Sequence, residues 1–197
     1  MTAIGRPRGF DADEALHAAM LVFWRQGYEG ASLADLTSAM GITKTSMYAA
    51  FGNKEELFRK ALARYDEGPA SYGIRAVEQP TAFDVARAFL DGAVRTTTQP
   101  GGPTGCLGVQ GSLVAGESGE PAREILSEWR NNGRKLLETR FRRAVEEGDL
   151  PAGTDAGKLA LYVITIGFGI AVQASSGVSR ADLQGIADTA LRTWPIP

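Results

Sequence analysis

The chain has 197 residues, with 21 Lys+Arg against 23 Asp+Glu, one His, one Cys and 24 Gly, and 44% of it is hydrophobic. That length and apolar fraction argue against a disordered chain and suffice for a sizeable core, while one cysteine excludes an internal disulfide and fits a reducing, cytoplasmic setting. No apolar run of about 20 residues follows a basic start, which speaks against a signal peptide or a membrane span; at a net charge of −2, any nucleic-acid footprint must come from local placement.

Residues 1–10 read as a polar, glycine-rich arm with Arg6 and Arg8 around Pro7. Asp11 or Asp13 can cap the helix that follows, because a carboxylate there accepts from unpaired first-turn amides. Ala15, Leu16, Ala19, Val22 and Phe23 recur at helical spacing until Gly27. Ser32 opens a second helix with Leu33, Leu36, Ala39 and Met40, and Gly41-Ile42 forms a turn. Thr43 caps a third helix carrying Met47, Tyr48 and Phe51, and Gly52 or Asn53 breaks it before a longer helix from about 54 to 65. Gly68-Pro69 and Gly73 interrupt or loosen that fourth helix.

Beyond it, Ala82, Val85, Ala86, Phe89, Leu90 and Ala93 mark a helix of about 81–97, and the loop 99–105 cannot continue it. Leu107 to Ala115 is a short apolar segment read as helical. Pro121 suits a first turn, from which Ile125, Trp129, Leu136, Leu137, Phe141, Ala144 and Val145 run to Gly148 as the longest helix. Thr154 or Asp155 opens an apolar helix ending near Ser176, expected to be buried or at an interface, and Ser179 caps the last one. Strand-like alternation is absent from the sequence, so the reading is all-α with about nine helices.

Residues 32–51 have the layout of a helix-turn-helix. Such a unit offers the amino end of its second helix to a DNA major groove, where short polar side chains reach base edges. Thr43, Lys44, Thr45 and Ser46 suit that exposed side, whereas Met47 points inward or toward a thymine methyl. Tyr48, Lys44 and Lys54 can meet phosphates, as can the helix start at Ser32. Arg6 and Arg8 can enter the adjacent minor groove or follow the backbone. Residues 1–60 hold 7 basic and 7 acidic side chains, so Asp11, Asp13 and Glu14 have to face elsewhere.

Phe23, Gly27-Tyr28, Ser32, Asp35-Leu36, Ala39-Met40-Gly41-Ile42, Ser46-Met47-Tyr48, Phe51, Lys54-Glu55 and Leu57 stand at spacings that resemble the amino-terminal domain of the TetR family of transcriptional regulators. The likeness covers about residues 10–62, and the Gly5-Arg6-Pro7 start is frequent in that family. Thr37 departs from it, since alanine is commoner there. Gly105-Cys106-Leu107 and the final helix pair resemble one of its common subgroups. The resemblance implies a reader domain over 1–53 and an effector-binding and dimerisation domain over 54–197. It further implies a homodimer, formed through helices about 154–176 and 179–194, on a palindromic double-stranded operator. In most such proteins a small molecule releases a repressor, and the pocket lies among the middle helices.

A mostly apolar effector would then meet some of Phe58, Leu62, Tyr65, Phe89, Leu90, Cys106, Leu107, Trp129 and Leu136, any of which can equally be core. Cys106 at a helix start admits a redox or electrophile sensor, against the blander reading of a packing residue. His17 has no Cys or His partner at metal-ligand spacing, so neither metal nor cofactor is expected. The loop 101–105 lacks the lysine of a phosphate-binding loop. Glu146, Glu147 and Asp149 read as a solvated helix end, and Arg140, Arg142 and Arg143 as a solvated face. The alternatives are a helical enzyme using the same pocket, for which few convergent titratable groups stand ready, and an interaction module that has lost DNA binding.

Overall fold

The computed structural model describes residues 9–110 and 119–195. These form ten α-helices and one 3-10 turn, with no strand among the described residues. The helices are α1 (Ala12–Gly30), α2 (Leu33–Met40), α3 (Lys44–Phe51), α4 (Lys54–Glu67), α5 (Tyr72–Val77), α6 (Ala82–Thr97), α7 (Leu107–Gln110), α8 (Glu120–Glu146), α9 (Ala156–Ser175) and α10 (Arg180–Arg192). The element beyond the nine expected is α5, split from α4 by Gly68 and the 3-10 turn Pro69–Ser71. Gly73 sits inside α5 and does not break it. Arg6, Arg8 and the 111–115 end of the expected helix at 107–115 lie outside the described residues.

Short polar side chains start most of these helices. Asp11 accepts from the amides of Asp13 and Glu14, Thr43 from Ser46, Thr81 from Asp84, Asp155 from Lys158 and Ser179 from Asp182. Ser32 with Asp35 and Asn53 with Glu56 form reciprocal capping boxes. Gly41 ends α2 in the left-handed region at φ 65°, which a side chain would make costly. Gly27 takes φ 71° within α1, so the regular helix stops where the sequence places its end and the chain resumes helical form beyond.

Two apolar clusters organise the body. One joins Phe23 and Trp24 of α1, Leu36 and Met40 of α2, Met47 and Phe51 of α3, and Leu57, Phe58, Leu62 and Tyr65 of α4 with Cys106, Leu107 and the start of α8. The second joins α6, the distal half of α8, α9 and α10. Three short helices cannot bury enough surface alone; α4 supplies the missing wall. Its Arg64 grips the Asp13 carboxylate with both terminal nitrogens, which pairs one acidic group of α1 with a cation while leaving it exposed.

Arg140 departs from the sequence reading. It is buried, and its Nη2 donates to the carbonyls of Gln79 at 3.0 Å and Pro80 at 2.9 Å. It thus pins the turn between α5 and α6, whereas Arg142 and Arg143 are exposed as expected. Asp149 is likewise engaged, since its Oδ2 accepts from the Ala82 amide at 2.5 Å at the start of α6. α9 has the length and apolarity of a membrane-crossing helix, yet one side of it packs against α6, α8 and α10.

Candidate DNA-reading edge and ligand cavity

The amino end of α3 is an outer edge of the molecule. Met47 and Phe51 are buried and hold α3 to the first cluster. Thr43, Lys44, Thr45 and Tyr48 on the other side are exposed. Met47 therefore points inward. Thr43 Oγ1 accepts from the Ser46 amide at 3.1 Å and lies 2.9 Å from Ser46 Oγ, so these two hydroxyls first fix the helix start. Lys44 and Thr45 make no hydrogen bond to a described residue; Lys44 Nζ hovers 5.8 Å from the Tyr48 ring centre.

The flanking candidates are more committed. Lys54 Nζ lies over the Tyr28 ring at 4.5 Å, and burial lowers its pKa. The capping box occupies the amide and hydroxyl of Ser32 with the Asp35 carboxylate, at 3.2 and 2.6 Å. That leaves the next two amides of α2 outside the capping box. Lys60 Nζ donates to the Phe51 carbonyl at 2.9 Å, tying α4 to the end of α3, so a shift of α4 moves the reading edge.

A cavity of about 430 Å³ opens between α4, α5, α6, α8 and α9. Of the residues expected to meet an effector, Phe89, Trp129 and Leu136 line it. Phe58, Leu62, Tyr65, Leu90, Cys106 and Leu107 do not; they are packed core. Phe58 stands edge-on to Phe23 and Tyr28, with ring centres 5.0 and 5.2 Å away. Tyr65 lies 4.7 Å from Trp24 and donates its hydroxyl to Cys106 Sγ at 3.3 Å. Burial pushes the Cys106 thiol up, the direction opposite to that of a reactive cysteine.

Sequence reading missed Asp66, Ala70, Tyr72, Gly73, Ile74, Arg130, Asn132, Gly133, Ile164 and Phe168, which complete the wall. No local signal marks Asp66, since Leu62, one turn before it on α4, is packed core. Asp66 Oδ1 accepts the Trp129 indole N–H at 2.7 Å. Trp129 lies near-parallel to Phe168 at 6.5 Å, and Tyr72 meets Phe89 edge-on at 5.6 Å.

Three aromatic walls rest on glycines. A Cβ on Gly92 would stand 2.5 Å from the Tyr72 ring and one on Gly167 2.8 Å from Phe89, while one on Gly108 would enter the Trp129 ring. Gly167 thus faces the cavity wall, whereas Gly169 faces open space. Gly108→Ala should cost about 1–3 kcal/mol through overpacking, because Asp66, Phe168 and Tyr65 hem in the Trp129 ring. Denaturant unfolding checks this, and an unchanged midpoint would show that the ring yields freely.

Known proteins share this arrangement. Residues 15–61 match the model of bacterial regulatory proteins of the tetR family, and residues 84–186 match a tetracyclin repressor-like C-terminal domain. The HTH-type transcriptional repressor ComR of Escherichia coli K12 is 35% identical over 194 residues, covering 97% of this chain and 92% of that protein. YezE of Bacillus subtilis strain 168, an uncharacterized HTH-type transcriptional regulator, is 31% identical over 81% of this chain and 84% of its own. A cysteine mutant of the regulator CifR, solved with a 26 bp double-strand operator DNA, superposes with a TM-score of 0.92 at 44% identity, covering 96% of this chain and all of that one. With both of its halves matched and a relative alike along nearly its whole length, the chain belongs to the tetR family of bacterial transcriptional regulators.

Proposed function

We propose that the protein is a cytoplasmic, dimeric repressor that reads a palindromic operator with α3 and lets go when a small, mostly apolar effector fills the cavity. The observation that carries this reading is the exposed polar edge of α3, with Lys44 and Thr45 outward and Met47 and Phe51 locked in the core. Residues 1–53 serve as the reader and 54–197 as the effector and dimer body, with α4 closing the reader's core. The likeness to CifR, solved on operator DNA, and to the repressor ComR supports it. Thr43, Lys44, Thr45 and Ser46 face base edges, whereas Ser32, Tyr48, Lys54, Arg6 and Arg8 serve the phosphates or the minor groove. No catalytic step is assigned to the cavity.

Two readers are needed because each presents few base contacts, and linked copies ~34 Å apart read two half-sites one helical turn apart. Exposed Leu161, Tyr162 and Val172 on α9 and Ile186 on α10 supply an apolar face for the second copy. The effector acts only as far as it prefers one head spacing to another.

Anisotropy titrations on the DNA upstream of the chain's own gene test the reading, and affinity should fall steeply between low and moderate salt. Lys44→Ala and Thr45→Ala should each shift preference among operator variants, with losses of about 1–3 kcal/mol at the contacted base pair. Tyr48→Phe and Lys54→Ala should weaken all sequences alike. Equal losses on operator and random DNA for the first pair would remove them as base readers.

A further inference from the structure

The cavity wall holds one carboxylate oxygen that the fold leaves unengaged. Asp66, a residue of the cavity lining, accepts the Trp129 indole N–H on Oδ1 at 2.7 Å, whereas its Oδ2 takes no hydrogen bond from a described residue. The rings of Tyr72, Phe89, Trp129 and Phe168 line the same cavity. We propose that the cavity takes an organic cation, with a protonated nitrogen on Asp66 Oδ2 and an aromatic or branched apolar body against those rings. This rests on the reading of the cavity as the effector site and names the chemistry of its effector.

A half-buried carboxylate in apolar surroundings has lost water it would otherwise bind, and burial accordingly raises the Asp66 pKa. A cationic donor restores a charge-assisted hydrogen bond there, about twice as strong as a neutral one. Ring faces attract the same cation through their quadrupole and repel an anion. Arg130, the cation on the same wall, donates Nη1 to the Gly108 carbonyl at 2.9 Å, which fastens α8 to α7. It makes an anionic ligand the rival occupant, so the test has to include one.

Calorimetric titration of the full chain with phenylbutylamine, phenylbutanol and phenylbutanoate compares one body carrying a cationic, a neutral and an anionic head. The amine should bind at least about tenfold tighter than either of the others. Asp66→Asn keeps an oxygen for the Trp129 indole, and it should abolish the amine's advantage by weakening the amine far more than phenylbutanol. Retained phenylbutanol binding also shows that the variant is folded. Tighter binding of phenylbutanoate, equal binding of the amine to Asp66→Asn, or no binding of any of the three overturns the proposal. Operator titrations on the same samples separate the two readings. Operator binding without an amine preference overturns only the cation, whereas a chain that binds the amine but no operator overturns only the regulator.

Discussion

Phe58→Ala should destabilise the chain by about 3–5 kcal/mol, the range of buried phenylalanine truncations, and should abolish operator binding by loosening the reader rather than by touching DNA. The side chain is fully buried, and its ring meets Phe23 of α1 and Tyr28 edge-on at 5.0 and 5.2 Å. Each such aromatic pair adds about 0.5–1.5 kcal/mol beyond the area it buries. The void would open between α1 and α4, the two longest of the first four helices. Those helices hold α2 and α3 in register, and Lys60 of α4 binds the last carbonyl of α3. Denaturant unfolding with an unchanged m-value measures the loss. A loss below about 1 kcal/mol, together with weakened ligand binding, would return Phe58 to the cavity and contradict its place in the core.

That result would also mark how far the sequence could be read. Helix starts were legible because a cap needs one short polar side chain at a fixed offset, and Ser32, Thr43 and Ser179 each carry that signal within four residues. The reading edge was legible for the same local reason, since residues 43–48 alternate exposed polar groups with an inward methionine. The cavity was not. Periodicity says which side of a helix is apolar but not which neighbour meets it, so Phe58 and Phe89 look alike in sequence while one fills a core and the other bounds a void. α5 escaped because six residues after a Gly-Pro break carry too short a period. Arg140 read as solvated among charged neighbours, yet its partners are the carbonyls of Gln79 and Pro80, some 60 residues away. The small size of Gly167 is plain in the sequence, but only the packing of α9 on α6 shows that the space it leaves belongs to Phe89.

Putting glutamates at Leu161 and Ile186 together should leave a folded monomer whose operator affinity falls by about 10²–10⁴-fold, the gain that linking two readers confers. Both side chains are about half exposed in the single chain, at 51% and 52%, so neither change removes core contacts and the far-ultraviolet spectrum should not move. In a two-fold dimer through α9 and α10 each substitution is present twice on facing patches. Four carboxylates would then lose water with no cation gained, at several kcal/mol per buried ion, more than the apolar contact of four side chains returns at ~25 cal/mol per Å². Gly169, whose Cβ position meets only open space, leaves room there for close approach of a second backbone. Sedimentation equilibrium reads the mass and anisotropy reads the affinity. A double variant that stays dimeric would move the interface away from this face, and a monomer that holds the operator as tightly as the parent would show that one reader suffices.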